Sequence, residues 1–191
     1  MPYNFYMLES SAGVCAEIDY LPDPCGPDVN HSWIKGMPLK CKVNVPFRTF
    51  TKLGHQHPLT EYYPAESVMS SELVKALQEA GVDNLQAYDL TIENDETGEE
   101  YTTHKAVNVI GVLSALDYGK TKFDPNNESR FLDAGIDSLA IDPEKTKGLL
   151  MFRLKESITD IAIHESVKNH LESTGKFKGL DFIEPEEFIS L

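Results

Sequence analysis

Two stretches of the chain join a short apolar run to an amphipathic helix pattern. The first opens Val68-Met69-Ser70-Ser71-Glu72, after which Leu73, Val74, Leu77 and Ala80 recur at the three- and four-residue spacing of one helix face. The second opens Ile161-Ala162-Ile163-His164-Glu165, and Ile163, Val167, His170 and Leu171 keep the same spacing. Both patterns run out at a glycine, Gly81 or Gly175, where a left-handed helix cap costs least. A strand-like run follows each, over 84–93 and over 179–183. The sequence therefore predicts a similar unit twice, near 64–93 and near 158–185: apolar run, capped helix, glycine, strand.

Between the two units the pattern changes to period two. Residues 85–93 alternate apolar and polar side chains, Asp95-Glu96-Thr97-Gly98 reads as a turn, and 101–116 returns rich in Val, Ile and Thr. That layout predicts a hairpin. Further strands are expected over 138–141 and 149–154, separated by Pro143 and Gly148, and a first strand over 4–8. Residues 21–40 are rich in Pro and Gly and read as irregular, with Trp33 as their one large anchor. Strands outnumber helices and hairpins connect most of them. The expected class is α+β, a mainly antiparallel sheet with a few helices, in one domain over 1–191.

Charge narrows the partners. The 191 residues hold 31 Asp and Glu against 17 Lys and Arg, a formal net charge of −14, and both halves of the chain are acidic. Such a surface repels phosphate, so nucleic acid and anionic membranes are poor partners. No run approaches the roughly 18 apolar residues of a membrane helix. The first residues lack the basic and apolar regions of a secretion signal. Three cysteines (Cys15, Cys25, Cys41) form no C-x-x-C pair, so neither a disulfide framework nor a cysteine zinc site is expected. These features predict a cytosolic protein.

Few residues point to bond-making chemistry. His55-Gln56-His57 with Glu61 would offer two imidazoles and a carboxylate to zinc, the donor set of a metal-dependent hydrolase. The segment lies between Gly54 and Pro58, however, and has the composition of an exposed loop. Gly119-Lys120-Thr121 imitates the tail of a phosphate-binding loop, but Ser114 stands where the first glycine belongs. Asp117 is placed to cap the turn that begins there, and no Gly-x-Ser-x-Gly elbow occurs. Catalytic, cofactor and metal residues are therefore expected to be none, and the protein not an enzyme. By contrast, the turn from Glu93 to Glu100 holds five carboxylates and no base. Asp95, Glu96, Glu99 and Glu100 are the partner-binding candidates, suited to steer a cationic surface.

Several segments also resemble a known family. Val107-Asn108-Val109-Ile110-Gly111-Val112-Leu113-Ser114-Ala115-Leu116-Asp117, with Thr121 four residues on, is similar to the apolar strand and Asp-x-x-x-Ser signature of bacterial immunity-protein family eleven of polymorphic toxin systems. Ile141-Asp142-Pro143-Glu144-Lys145 with 150–154 resembles that family's next block, and 161–185 its C-terminal block. Trp33-Ile34-Lys35-Gly36-Met37-Pro38-Leu39 is similar to its Trp-x-x-Gly-x-Pro element, and Ser70-Ser71-Glu72-Leu73 to the start of its first helix. Thr121 for Ser and His164 for a helix-capping Ser depart from the pattern. The resemblance implies a protein that neutralises a cognate toxin domain by stoichiometric binding, without cofactor or catalytic residues. A scaffold or small-ligand binder built on the repeated unit is the remaining alternative.

Overall fold

The computed structural model describes residues 5–11, 15–25, 32–41, 43, 46–51, 58–126, 129 and 134–190. In chain order the strands of the first half are β1 (Phe5–Ser10), β2 (Phe47–Thr51), β3 (Tyr62–Tyr63) and β4 (Val68–Ser70). Helix α1 (Ser71–Glu79) follows, then β5 (Leu85–Asn94), β6 (Glu100–Tyr101), β7 (His104–Val109) and β8 (Val112–Leu113). The second half holds β9 (Lys122–Phe123), β10 (Ile136–Ser138), β11 (Met151–Leu154), β12 (Ile161–His164), helix α2 (Glu165–Thr174) and β13 (Leu180–Ile183). The class is α+β with mainly antiparallel sheets, as the periodicity predicts; the parallel pairs are β2 with β5 and β8 with β11.

The two predicted units take the same local topology. In one sheet the order is β2-β5-β7-β4-β3, in the other β13-β1-β12-β11-β8. β3 and β4 form a hairpin, α1 crosses over, and β5 returns parallel to β4 with β7 between them. Likewise β11 and β12 form a hairpin, α2 crosses over, and β13 returns parallel to β12 with β1 between them. Each unit is thus a split β-α-β whose middle strand comes from elsewhere in the chain.

Both sheets bury both faces. Leu73 and Leu77 of α1 and Val167 and Leu171 of α2 pack on one side, over Met69, Val107, Val109, Ile161 and Ile163. The opposite face of the β1-containing sheet (Phe5, Met7, Phe152, Leu154, Ala162) lies under Leu113, Ala115, Leu116, Ile136 and Leu139. The opposite face of the other sheet (Val68, Leu90, Ile92, Ala106) lies under Ile18, Trp33 and Leu39. Double burial explains why β4, β11 and β12 read as short, nearly continuous apolar runs, whereas β2 keeps alternate positions exposed.

The 101–116 segment differs from the single strand expected. It pairs with β5 as β6 and β7, then leaves that sheet at Gly111 and joins the other as β8. Gly111 has φ +118°, and a Cβ there would stand 2.8 Å from Leu149 Cδ1, so the handover needs a glycine. The Gly111 N–H donates to Gly36 O at 2.8 Å, and its carbonyl accepts from Arg153 N at 2.9 Å. Asn84 Nδ2 donates across the seam to Ile110 O (2.5 Å) and Met151 O (2.8 Å). The strand expected over 138–141 is observed at 136–138 instead, with Ile141 making only an isolated bridge to Leu116.

The cysteine expectation is corrected. Cys25 and Cys41 are joined as a disulfide, Cα to Cα 5.8 Å, across a sequence separation of 16. Both cysteines pack against the cluster that holds Trp33 and Phe47. Trp33, 7% exposed, meets Phe47 and Tyr88 edge-on at centroid distances of 5.0 and 6.0 Å, and its Nε1 donates to Pro22 O. Docking of that anchor brings the sulfurs together, a tertiary event that cysteine spacing does not report. Among the described residues no helix is long and apolar enough to cross a membrane.

Candidate functional site

The acidic residues expected to bind a partner stand together at the tip of the β5–β6 hairpin. Asp95, Glu96, Glu99 and Glu100 are all exposed, while Asn94 beside them is 2% exposed. Asn94 builds the tip: its Oδ1 accepts from Glu96 N (3.0 Å) and Thr97 N (3.3 Å), and its carbonyl accepts from Gly98 N (2.7 Å). An Asx turn of this kind fixes the backbone with local hydrogen bonds. The tip is also moored to β2, because Asp95 N donates to Thr51 O at 3.3 Å. Arg48 on β2 pairs with Glu100 at 2.8 Å and Glu93 at 3.3 Å. The charges are therefore presented on a held frame, part-compensated on one side.

The other singled-out positions scatter. Of the suggested zinc ligands, His55 and His57 lie outside the described residues. Glu61 adjoins β3, its carboxylate against Gly179. Among the described residues no group of three His, Cys, Asp or Glu side chains is arranged to hold a metal. Asp117 caps its turn as expected, accepting from Gly119 N at 3.0 Å and pairing with Lys120 at 2.9 Å. Thr121 closes the same turn onto Ala140: its Oγ1 accepts from Ala140 N at 3.1 Å. His164 caps α2 in place of the expected serine, with Nδ1 accepting from Ser166 N at 3.1 Å.

Three polar arrangements were not legible from spacing. Ser114 Oγ and Tyr118 Oη both donate to Oε1 of the fully buried Glu156, at 2.5 and 2.6 Å, while Glu156 Oε2 has no hydrogen-bond partner among the described residues. Arg153, also fully buried, donates through Nη1 to Ile158 O and Thr159 O and through Nη2 to Ser67 Oγ. His104 Nε2 sits 2.9 Å from Thr60 O and Nδ1 3.0 Å from Thr103 Oγ1. Because a carbonyl only accepts, Nε2 carries the proton and Nδ1 accepts from the threonine. Each arrangement includes a hydrogen bond between residues 38 or more positions apart, so only the tertiary fold assembles it.

The described surface also carries grooves. One of about 580 Å³ runs between α2 and β13, walled by Lys168, Leu171 and Glu172 on the helix and by Leu180 and Phe182 on the strand, with Tyr6 beside them. Another, about 360 Å³, lies between α1 and the end of α2, lined by the charged Glu72, Lys75, Glu79 and Lys176 together with Ala76 and Phe177. The junction of the two units thus offers a surface of mixed charged and apolar character. No family model matches the chain and no curated protein matches it, so the likeness to immunity proteins stands on the quoted segments alone.

Proposed function

We propose that the protein is a stoichiometric inhibitor, the immunity partner of a bacterial toxin domain with a basic surface. The observation that carries this reading is the acidic hairpin tip, held rigid by Asn94 and projecting Asp95, Glu96, Glu99 and Glu100 into solvent. A preformed tip loses little conformational freedom on binding. Its charge, added to a net −14, draws a cationic partner and raises the encounter rate. The resemblance of 33–39, 107–121 and 161–185 to an immunity family supports the same class of partner. On this reading the protein acts in the cytosol, and the Cys25–Cys41 bridge is an oxidised form that reducing conditions open.

Co-expression with the toxin domain encoded by the neighbouring reading frame tests the proposal. Growth should be rescued and a 1:1 complex should purify. The variant carrying D95N, E96Q, E99Q and E100Q should associate on the order of tenfold more slowly at low salt, with a flatter salt dependence. Persistent toxicity without a complex would reject the function. A complex with unchanged kinetics would move the interface off the tip.

A further inference from the structure

β13 ends its sheet, and its pairing decides which of its backbone groups remain open. The Ser11 N–H donates to Gly179 O at 2.7 Å, and the register sets Glu9 opposite Asp181 and Met7 opposite Ile183. Hydrogen-bonded and non-hydrogen-bonded pairs alternate along an antiparallel ladder. Residues 179, 181 and 183 therefore turn their N–H and C=O groups toward β1, and Leu180 and Phe182 turn theirs away from it. The Leu180 N–H reaches Phe177 O at 3.4 Å. The N–H and C=O of Phe182 and the C=O of Leu180 have no backbone partner among the described residues.

The 580 Å³ groove opens along this same edge. Its apolar surface is supplied by Tyr6, Leu171, Phe177, Leu180 and Phe182. Lys168 lies within it already paired, 3.1 Å from the Glu172 carboxylate and 4.8 Å above the Tyr6 ring. Along the strand side, 180–187 carries Asp181, Glu184, Glu186 and Glu187, all exposed, and no basic residue.

We propose that this edge binds an extended, basic segment of a partner protein, added as one more strand beside β13 with alternate side chains seated against α2. Strand-spaced open groups at 180 and 182 are satisfied together by an extended backbone. The aromatic wall accepts every second side chain, and the row of carboxylates selects lysine or arginine at the positions between. The same row disfavours a second copy of this chain, since pairing two β13 edges would bring like charges together. Lys178 is the one groove residue that opposes a cation outright. The site lies on the other sheet from the acidic tip, so its fate is independent of the inhibitor reading.

The test uses the full ¹⁵N-labelled chain and the peptide Ac-KVKVKVKV-NH₂. Amide shifts should move at Phe182, Leu180, Leu171 and Gly175, and the Phe182 N–H should gain protection from exchange. Ac-EVEVEVEV-NH₂ should leave the spectrum unchanged. F182P, which removes the open donor, should abolish binding. The double variant D181K/E184K should weaken binding about tenfold or more with an unchanged far-ultraviolet circular dichroism spectrum, and it decides the matter if F182P does not fold. Shifts confined to 95–100, equal binding of the glutamate peptide, or protection of Phe182 that rises with protein concentration alone would overturn the proposal. So would the absence of any shift.

Discussion

His104 has a pKa below the ordinary histidine range. Burial pushes it down, more than the hydrogen bond to Thr60 O and the nearby Glu61 carboxylate push it up. The unfolded chain, with an ordinary histidine pKa near 6.5, takes up a proton first as pH falls. His104 therefore contributes its full stability above that pH and loses it as pH drops toward the folded value. Urea unfolding between pH 7.5 and 5 should show this decline, and H104Q should remove that part of it while lowering stability at neutral pH. At this scale the sequence is informative where a residue acts on its neighbours. Asp117 caps the turn over 118–120 through a residue two positions on, and Trp33 anchors an otherwise irregular segment, both as their surroundings imply. His104, Arg153 and Glu156 are different: nothing near them in the chain marks them as buried, because their partners come from distant segments.

Among elements, the two helices invite comparison because they do the same job with different caps. Ser70 Oγ accepts from Leu73 N at 3.1 Å, whereas His164 uses its Nδ1 on Ser166 N. Serine is a preferred N-cap, and truncating it costs about 1 kcal/mol. S70A should lower unfolding stability by roughly that amount, and H164A by less, since imidazole is a weaker cap; equal losses in chemical denaturation would contradict this ranking. α2 ends at Gly175 with φ +64°, as the glycine implied, while α1 is capped by Ala80 just ahead of Gly81. The helices, β5 and β13 were legible because apolar spacing and glycine punctuation are local signals. The break at Gly111 was not, because β7 and β8 are equally apolar and only the packing of two sheets separates them. β2 and β3 were missed for the opposite reason: short and flanked by irregular chain, they become strands through their partners β5 and β4.

For the molecule as a whole, the bridge between Cys25 and Cys41 is a global tether. Closing a loop of about 15 residues restricts the unfolded chain enough to stabilise the fold by about 3 kcal/mol. The C25S/C41S variant, or the wild type in excess reductant, should unfold at lower denaturant by close to that amount. Identical curves with and without reductant would show that the bridge has no such effect. The architecture was legible as a class, but the exchange of middle strands between distant segments was not.

That exchange has a consequence for how the chain becomes a protein. β1 is far removed in sequence from the strands on either side of it, β12 and β13. During synthesis Phe5, Met7 and Leu8 must therefore stay uncovered until β12 and β13 have been made. The sheet around β1 closes by pairing segments of wide separation, which is slow and leaves sticky intermediates on the way. A nascent chain interrupted before Ile161 would present β1 as an orphaned ribbon, a natural client for holding chaperones.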